Sequence, residues 1–325
     1  MSYLSSLPLP EVRARPMRFD NIVASIGDTP MVEVPRISPK AGVRIYAKLE
    51  GQNPTGSLKD RIAKYMVEEA EAQGLLTRDK TILEATSGNT GISLAMIGRR
   101  KGYSVKVVMP ENVSPERCHL LILYGAEVIF SDGAKGTNGA IEVACEMARD
   151  STYFMPFQYG NPANPRAHYE TTGVEILRDV PDVDVFVAGL GTGGTLMGVG
   201  RRLKEHNPNV RIVAVEPHPG ELVQGLRSLQ DGFVPPILDL GMLDSKMVIT
   251  TTEAFAATKD LVDAEGIFAG ISSGAVIRCA QRLAQRMEKG NIVCLLADGG
   301  WKYLSAPIWA DPERLQKLIE GKVWW

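Results

Sequence analysis

Cysteine is scarce. Cys118, Cys145, Cys279 and Cys294 are the only four in 325 residues, and no two form a C-x-x-C pair. That excludes a disulfide framework and a thiolate metal site. Their apolar helical or strand-like surroundings predict buried free thiols in a reducing, cytoplasmic setting. Histidine is as sparse: His119, His168, His206 and His218 stand at no ligand spacing, so no metal centre is expected. An excess of one charge is also missing. Thirty-six Lys and Arg against 38 Asp and Glu leave a formal −2, which gives no basis for a nucleic-acid or anionic-membrane partner. No apolar run nears the roughly 20 residues that cross a bilayer, and the first residues lack a signal-peptide core. Low-complexity linkers and solenoid-length repeats are absent too. What remains is an ordinary globular composition, 44% hydrophobic and 23% charged, long enough for two domains with separate cores.

Residues 1–18, punctuated by Pro and Arg, read as a loose or partner-docked arm. From Asn21 the pattern predicts a short helix, a turn at Gly27-Asp28-Thr29-Pro30 and strands at Met31–Val34 and Ile45–Leu49. Past Gly74, strands (Thr81–Glu84, Val105–Met109, Glu127–Phe130, Phe154–Met155, Val183–Ala188, Ile212–Glu216, Ile292–Leu296) separate helices. The helices are Ile92–Lys101, Pro115–Tyr124, Ile141–Ala148, Tyr169–Leu177, Leu196–His206, Thr252–Glu265, Ala275–Lys289 and Pro312–Glu320. This alternation implies an α/β protein with mostly parallel sheets flanked by helices, its ligand lying between two packed domains.

The segment Asn53-Pro54-Thr55-Gly56-Ser57-Leu58-Lys59-Asp60-Arg61 runs from a turn into an amphipathic helix. Ser57 occupies the N-cap position, and Asp60 three residues on suggests a capping box. Lys59 then falls in the first helical turn, where the helix dipole disfavours an ammonium. Covalent chemistry with a carbonyl cofactor needs a lysine favoured in its neutral form; an ordinary first-turn lysine is the plainer reading.

Three small-residue turns follow predicted strands or open predicted helices. Thr86-Ser87-Gly88-Asn89-Thr90-Gly91 aims backbone N–H groups and hydroxyls at one point, which suits a carboxylate. Gly189-Leu190-Gly191-Thr192-Gly193-Gly194-Thr195 predicts a phosphate at a helix N-terminus. It also spells G-x-G-x-x-G, with Glu216 closing the next strand as a ribose-binding acid would, so a dinucleotide site stays open. In Gly270-Ile271-Ser272-Ser273-Gly274-Ala275 the serines are N-caps or present a hydroxyl to a ring nitrogen. Gln158-Tyr159-Gly160-Asn161-Pro162-Ala163-Asn164 carries too little mechanism of its own to classify.

In this order and spacing, N-P-T-G-S-L-K-D-R, T-S-G-N-T-G, Q-Y-G-N-P-A-N, G-T-G-G-T and G-I-S-S-G-A resemble the cysteine synthase and cystathionine β-synthase family, pyridoxal-phosphate enzymes of fold type II. The resemblance runs from about Asn21 to Ser305. The segments A-G-L-G-T-G-G-T-L-M-G, E-G-I-F-A-G-I-S and D-G-G-W-K-Y-L-S and a Trp-ended tail are most similar to its O-phosphoserine-dependent, actinobacterial-type branch. It departs from many members at Ala85 and Trp301.

The resemblance implies a two-domain tryptophan-synthase-β-like fold, with residues 53–157 as a smaller mobile domain and 19–52 with 158–325 as the cofactor-binding one. Lys59 would hold pyridoxal 5'-phosphate covalently and serve as base. Asn89 would meet its phenolic oxygen, Gly191, Thr192, Gly193, Gly194 and Thr195 its phosphate, and Ser272 its pyridine nitrogen. Thr86, Ser87, Thr90 and Gln158 would hold the substrate carboxylate. Arg227 would read a phosphate leaving group, against the plainer reading of a surface ion pair with Glu221 or Asp231. A hydroxyl at the ring nitrogen does not keep it protonated, which suits β-elimination without a long-lived carbanion.

The implied reaction replaces the β-substituent of O-phospho-L-serine or O-acetyl-L-serine, through an α-aminoacrylate, with sulfur from sulfide or from a small carrier protein's thiocarboxylate. The implied partners are those small molecules, that carrier and a second copy of the chain as a homodimer. Cystathionine β-synthase, serine or threonine dehydratase and, remotely, an NAD-dependent oxidoreductase are the alternatives. The aromatic pair Trp324-Trp325 is expected to pack toward the cleft, on the domain surface or at a dimer interface.

Overall fold

The structure is a computed structural model and describes residues 18–86 and 88–306. The arm, Ser87, the helix expected at Pro312–Glu320 and the Trp-ended tail lie outside the described residues.

After a 3₁₀ turn at Ile22–Ser25, capped by the Asn21 side chain, come β1 (Met31–Glu33), β2 (Val43–Leu49) and α1 (Lys59–Ala72). Next are β3 (Thr81–Ala85), α2 (Asn89–Lys101), β4 (Val105–Pro110), α3 (Pro115–Leu123), β5 (Glu127–Ser131), α4 (Gly136–Met147) and β6 (Tyr153–Phe154). The chain goes on through α5 (Ala163–Ala167), a π-helical turn at His168–Thr172, α6 (Gly173–Asp179), β7 (Val185–Gly189), α7 (Gly194–His206) and β8 (Arg211–Pro217). It ends in β9 (Ser245–Ile249), α8 (Thr251–Glu265), α9 (Ile271–Arg286) and β10 (Gly290–Leu296).

The strands form two sheets. One has the order β1-β2-β10-β7-β8-β9, parallel except for the antiparallel β1–β2 pair. The other, β5-β4-β3-β6, is wholly parallel. Parallel central strands are apolar on both faces because helices cover both; β7 and β8 bury nearly every residue. The expected α/β class holds.

The edge strand β9 was missed from the sequence. It buries only Ile249 fully and alternates partly covered with exposed residues, so its hydrophobic signal is weak. Four helices begin well before their periodicity implied, at Asn89, Gly136, Gly194 and Ile271, because small-residue stretches themselves supply the first helical turn. Cys279 and Cys294 are buried free thiols as expected, but Cys145 is exposed and Cys118 half-buried, each on a partly solvated helix face.

The fold places the site through one rule: in open parallel sheets, ligands sit beyond the carboxyl ends of the strands, where the strand order reverses. The Lys59 segment follows β2, the Thr86 turn β3, the Gly191 turn β7, the Arg227 segment β8 and the Asp298 segment β10.

Candidate active site

Lys59 is the first residue of α1, and its backbone N–H donates to Ser57 Oγ at 3.2 Å. The capping box does not form. Asp60 turns back and accepts instead from the Thr55 N–H and hydroxyl and from Ser93 Oγ, which fixes the loop ahead of the lysine. Two residues on, the buried Arg61 donates to Glu50 (Nε–Oε2 2.7 Å) and Glu175 (Nη1–Oε1 2.6 Å), and Lys48 Nζ reaches Glu175 Oε2 at 2.7 Å. Such buried pairs add little net stability but hold one geometry. Trp301 covers the turn: a side chain at Gly56, whose φ is +79°, would overlap its ring.

Lys59 borders a cavity that also collects Thr86, Asn89, Thr90, Gln158, Gly191, Thr192, Arg227 and Ser272. A connecting pocket brings in Gly193 and Thr195. Of the predicted site residues, Ser87 lies outside the described residues and Gly194 touches this cavity only through its neighbours. Burial pushes the Lys59 ammonium down to about 8, against the opposing pull of the Asp298 carboxylate.

At the N-terminus of α7 the chain is rich in glycine. A Cβ at Gly194 would overlap the Asn164 amide, and Gly193 adopts φ +87°. Thr192 Oγ1 accepts from Asn164 Nδ2 at 3.0 Å, and Thr195 Oγ1 lies 3.2 Å from His168 Nε2 on the π-helical turn. A helix start leaves its first backbone N–H groups without intrahelical partners, the arrangement that receives a phosphate. Glu216 is no ribose acceptor: it takes the Leu229 N–H at 3.0 Å and pairs with Lys246 at 3.3 Å. That removes the main support for a dinucleotide.

The helix α9 opens at Gly270 with no side-chain cap, so neither Ser272 nor Ser273 is an N-cap. Ser272 lines the cavity. Across from it, Thr90 Oγ1 donates to Gln158 Oε1 at 2.6 Å, and Gln158 Nε2 donates to Ala85 O at 3.0 Å. Thr86 Oγ1 accepts from the Gly88 N–H at 3.0 Å. Arg227 is buried, not a surface residue; its Nη1 donates to Asn138 Oδ1 at 2.7 Å, and its guanidinium lies over the Phe233 and Tyr159 rings. Glu221 accepts from the Thr251 N–H instead.

The residues offer a lysine for an aldehyde, a backbone cradle for a phosphate, a hydroxyl for a ring nitrogen and an amide for a ring oxygen. Pyridoxal 5'-phosphate has those four groups, and the turn that would take its phosphate is so closely packed that a Cβ at Gly191, Gly193 or Gly194 would crowd Gly225, Leu238 or Asn164. A family model described as pyridoxal-phosphate dependent enzyme matches residues 22–298. The chain belongs to this family. It is similar to the cysteine synthase of Staphylococcus aureus (strain N315), 43% identical over 301 residues that cover 90% of this chain and 97% of that protein. A hydrogen sulfide-producing enzyme from Fusobacterium nucleatum superposes with a TM-score of 0.85 at 42% identity, over 88% of this chain and 100% of the other. The cysteine synthase of Entamoeba histolytica does so with a TM-score of 0.85 at 34% identity, over 98% and 99%. The cofactor of this enzyme is therefore pyridoxal phosphate.

Sequence reasoning gave no task to Arg117, Asp298, Lys302 and Tyr303, yet all four adjoin Asn89 or the cavity. Asn89 Nδ2 donates to Asp298 Oδ2 at 2.7 Å, and Asn89 Oδ1 accepts from Lys302 Nζ at 2.7 Å. Tyr303 OH donates to Asp298 Oδ2 at 2.7 Å and accepts from Arg117 Nη2 at 2.9 Å. Asp298, Lys302 and Tyr303 had two cues, their place after the carboxyl end of a parallel strand and the D-G-G-W-K-Y-L-S segment, whereas Arg117 had none.

Proposed function

We infer that this enzyme makes L-cysteine by β-replacement on O-phospho-L-serine. The observation that carries the choice of donor is Arg227, a buried guanidinium that lines both the Lys59 cavity and an outer cavity of about 330 Å³. Arg117 and Lys135 also line that outer cavity, and among the described residues no carboxylate does. A passage with three cations and no acid favours a dianionic leaving group over a neutral ester.

When bound, pyridoxal phosphate supplies the carbonyl that takes the substrate amine and a ring that withdraws electrons from Cα. Thr86, Thr90, Gln158 and the N–H groups opening α2 hold the substrate carboxylate. Ser87, the fourth residue in that assignment, is proposed on the resemblance alone. Gly191 to Thr195 keep the ring in place through its phosphate, and Ser272 faces its nitrogen. Lys59, with its basicity lowered by burial, removes the Cα proton as the β C–O bond breaks. Arg227 stabilises the departing phosphate. Sulfur then adds at Cβ, and Lys59 returns the proton to Cα. The sulfur comes from sulfide, or from a small carrier protein's thiocarboxylate, whose acyl–sulfur bond is then cleaved by water to return the carrier as its carboxylate. The unit spanning residues 53–157 closes on the carboxylate, and the working form is a cytoplasmic homodimer.

The test is kcat/KM for O-phosphoserine and O-acetylserine in wild type and Arg227→Ala. A charge-assisted contact of roughly 1.5–3 kcal/mol predicts a selective ten- to hundredfold loss with O-phosphoserine. Equal losses with both substrates, or none, would remove Arg227 from phosphate recognition.

A further inference from the structure

Five side chains beside Lys59 form one hydrogen-bonded chain, Arg117–Tyr303–Asp298–Asn89–Lys302. Its ends are donors only: neither a guanidinium nor an ammonium accepts. That fixes every bond between them. Tyr303 accepts from Arg117 and so gives its single proton to Asp298. Asp298 Oδ2 receives from both Tyr303 and Asn89. The Asn89 oxygen must face Lys302, since the reverse amide orientation would set N–H against N–H there and oxygen against carboxylate at Asp298. The Nδ2 atom carries two hydrogens, and Asp298 takes one. Asn89 lines the Lys59 cavity, so the second hydrogen remains for a ligand.

We propose that Lys302 is a positioning residue: by holding the Asn89 oxygen, it presents the Asn89 amide to the cofactor's ring oxygen only as a donor. This rests on the assignment of Asn89 to that oxygen. Lys302 is fully buried, far from the solvent a lysine ordinarily seeks, and burial holds its ammonium down at about 8. A neutral donor could fill the same volume, but a glutamine could also present its oxygen and release Asn89 to turn.

The test uses full-length protein reconstituted with pyridoxal 5'-phosphate or with its 3-deoxy analogue, which lacks the ring oxygen. The readouts are the dissociation constant of each ligand and the absorption maximum of the bound natural cofactor. Lys302→Met is expected to weaken pyridoxal phosphate about tenfold, the worth of one hydrogen bond to a charged oxygen, to shift its band and to leave the analogue within about twofold. Lys302→Arg, again a donor only, restores both readouts. If Lys302→Met does not fold, Lys302→Gln is expected to give the same selective loss, smaller in size. Equal weakening of both ligands, or an unshifted band with unchanged affinities, overturns the proposal. Asn89→Ala separates the two levels. If it too fails to distinguish the ligands, the Asn89 assignment is wrong; if it distinguishes them and the Lys302 variants do not, only the Lys302 inference falls. In the Asn89→Ala background Lys302→Met has no further selective effect, and a further selective loss would mean that Lys302 acts on the ring directly.

Discussion

On one side of Lys59 the cavity wall is mostly glycine, and on the other it is large polar side chains. The wall from Gly191 to Thr195 is a helix N-terminus in which three of five residues are glycine, and Asn164 packs where a Cβ at Gly194 would go. The wall from Asp298 to Tyr303 is a relay of four hydrogen bonds joining residues that stand as far as 213 apart in sequence. The first wall suits one task, receiving an anion, and its glycines leave little room for a side chain. The second can be adjusted one side chain at a time, and each change alters direction or charge more than volume. The two walls therefore fail differently when mutated.

The largest effect is expected at the residue between them. Lys59→Ala should fold, lose covalently held cofactor on dialysis and fall by roughly 10²–10⁴ in turnover with the loss of its base; wild-type absorbance and rate after dialysis would displace Lys59 from the site. Next is the glycine wall. Gly194→Ala overpacks against Asn164, costing roughly 1–3 kcal/mol and weakening the cofactor. Thermal melting and cofactor titration together check this, and Gly194→Ala combined with Asn164→Gly should recover part of both. If Gly194→Ala binds cofactor normally, that wall is looser than its geometry implies.

The smallest effect concerns the side-chain wall and is read as a slope. Lys302 has its ammonium held at about 8 in the folded chain, against an ordinary 10.5. Between those values the unfolded chain binds more protons, so this lysine makes stability rise with pH. Lys59 acts in the same direction, whereas Tyr303, whose hydroxyl is pushed up by burial, acts in the opposite one. The difference between wild type and Lys302→Met isolates the one group. The stability of wild type relative to the variant should climb from pH 8 to 10.5 by at most about 1.4 kcal/mol per unit. A flat difference would mean that Lys302 keeps an ordinary affinity for its proton.

The same contrast explains what was legible in the sequence. Glycines with little room for a side chain leave a local signature, so the Gly191 turn and the strand–helix alternation around it were readable. Lys59 was readable because its environment begins with its own helix start. Arg117, Asp298, Lys302 and Tyr303 were not, because nothing near each residue reveals that they meet; Asp298 is 209 residues from Asn89. Asp60 misled for a related reason. Its spacing from Ser57 fits a capping box, but the Thr55 and Ser93 hydroxyls compete for the same carboxylate. The edge strand β9 was hidden by its solvated face.

The ion cluster around Arg61 has a consequence for the order of folding. It ties Glu50 and Arg61 to Glu175, 114 residues downstream of the arginine. Contacts of such separation form late, after local helices and neighbouring strands, because a long loop must close first. The start of α1 is pinned by that cluster, so Lys59 gains its final orientation in one of the last steps of assembly. Cofactor capture should then lag behind the recovery of helical circular dichroism during refolding, which would make cofactor absorbance a measure of finished molecules rather than merely compact ones.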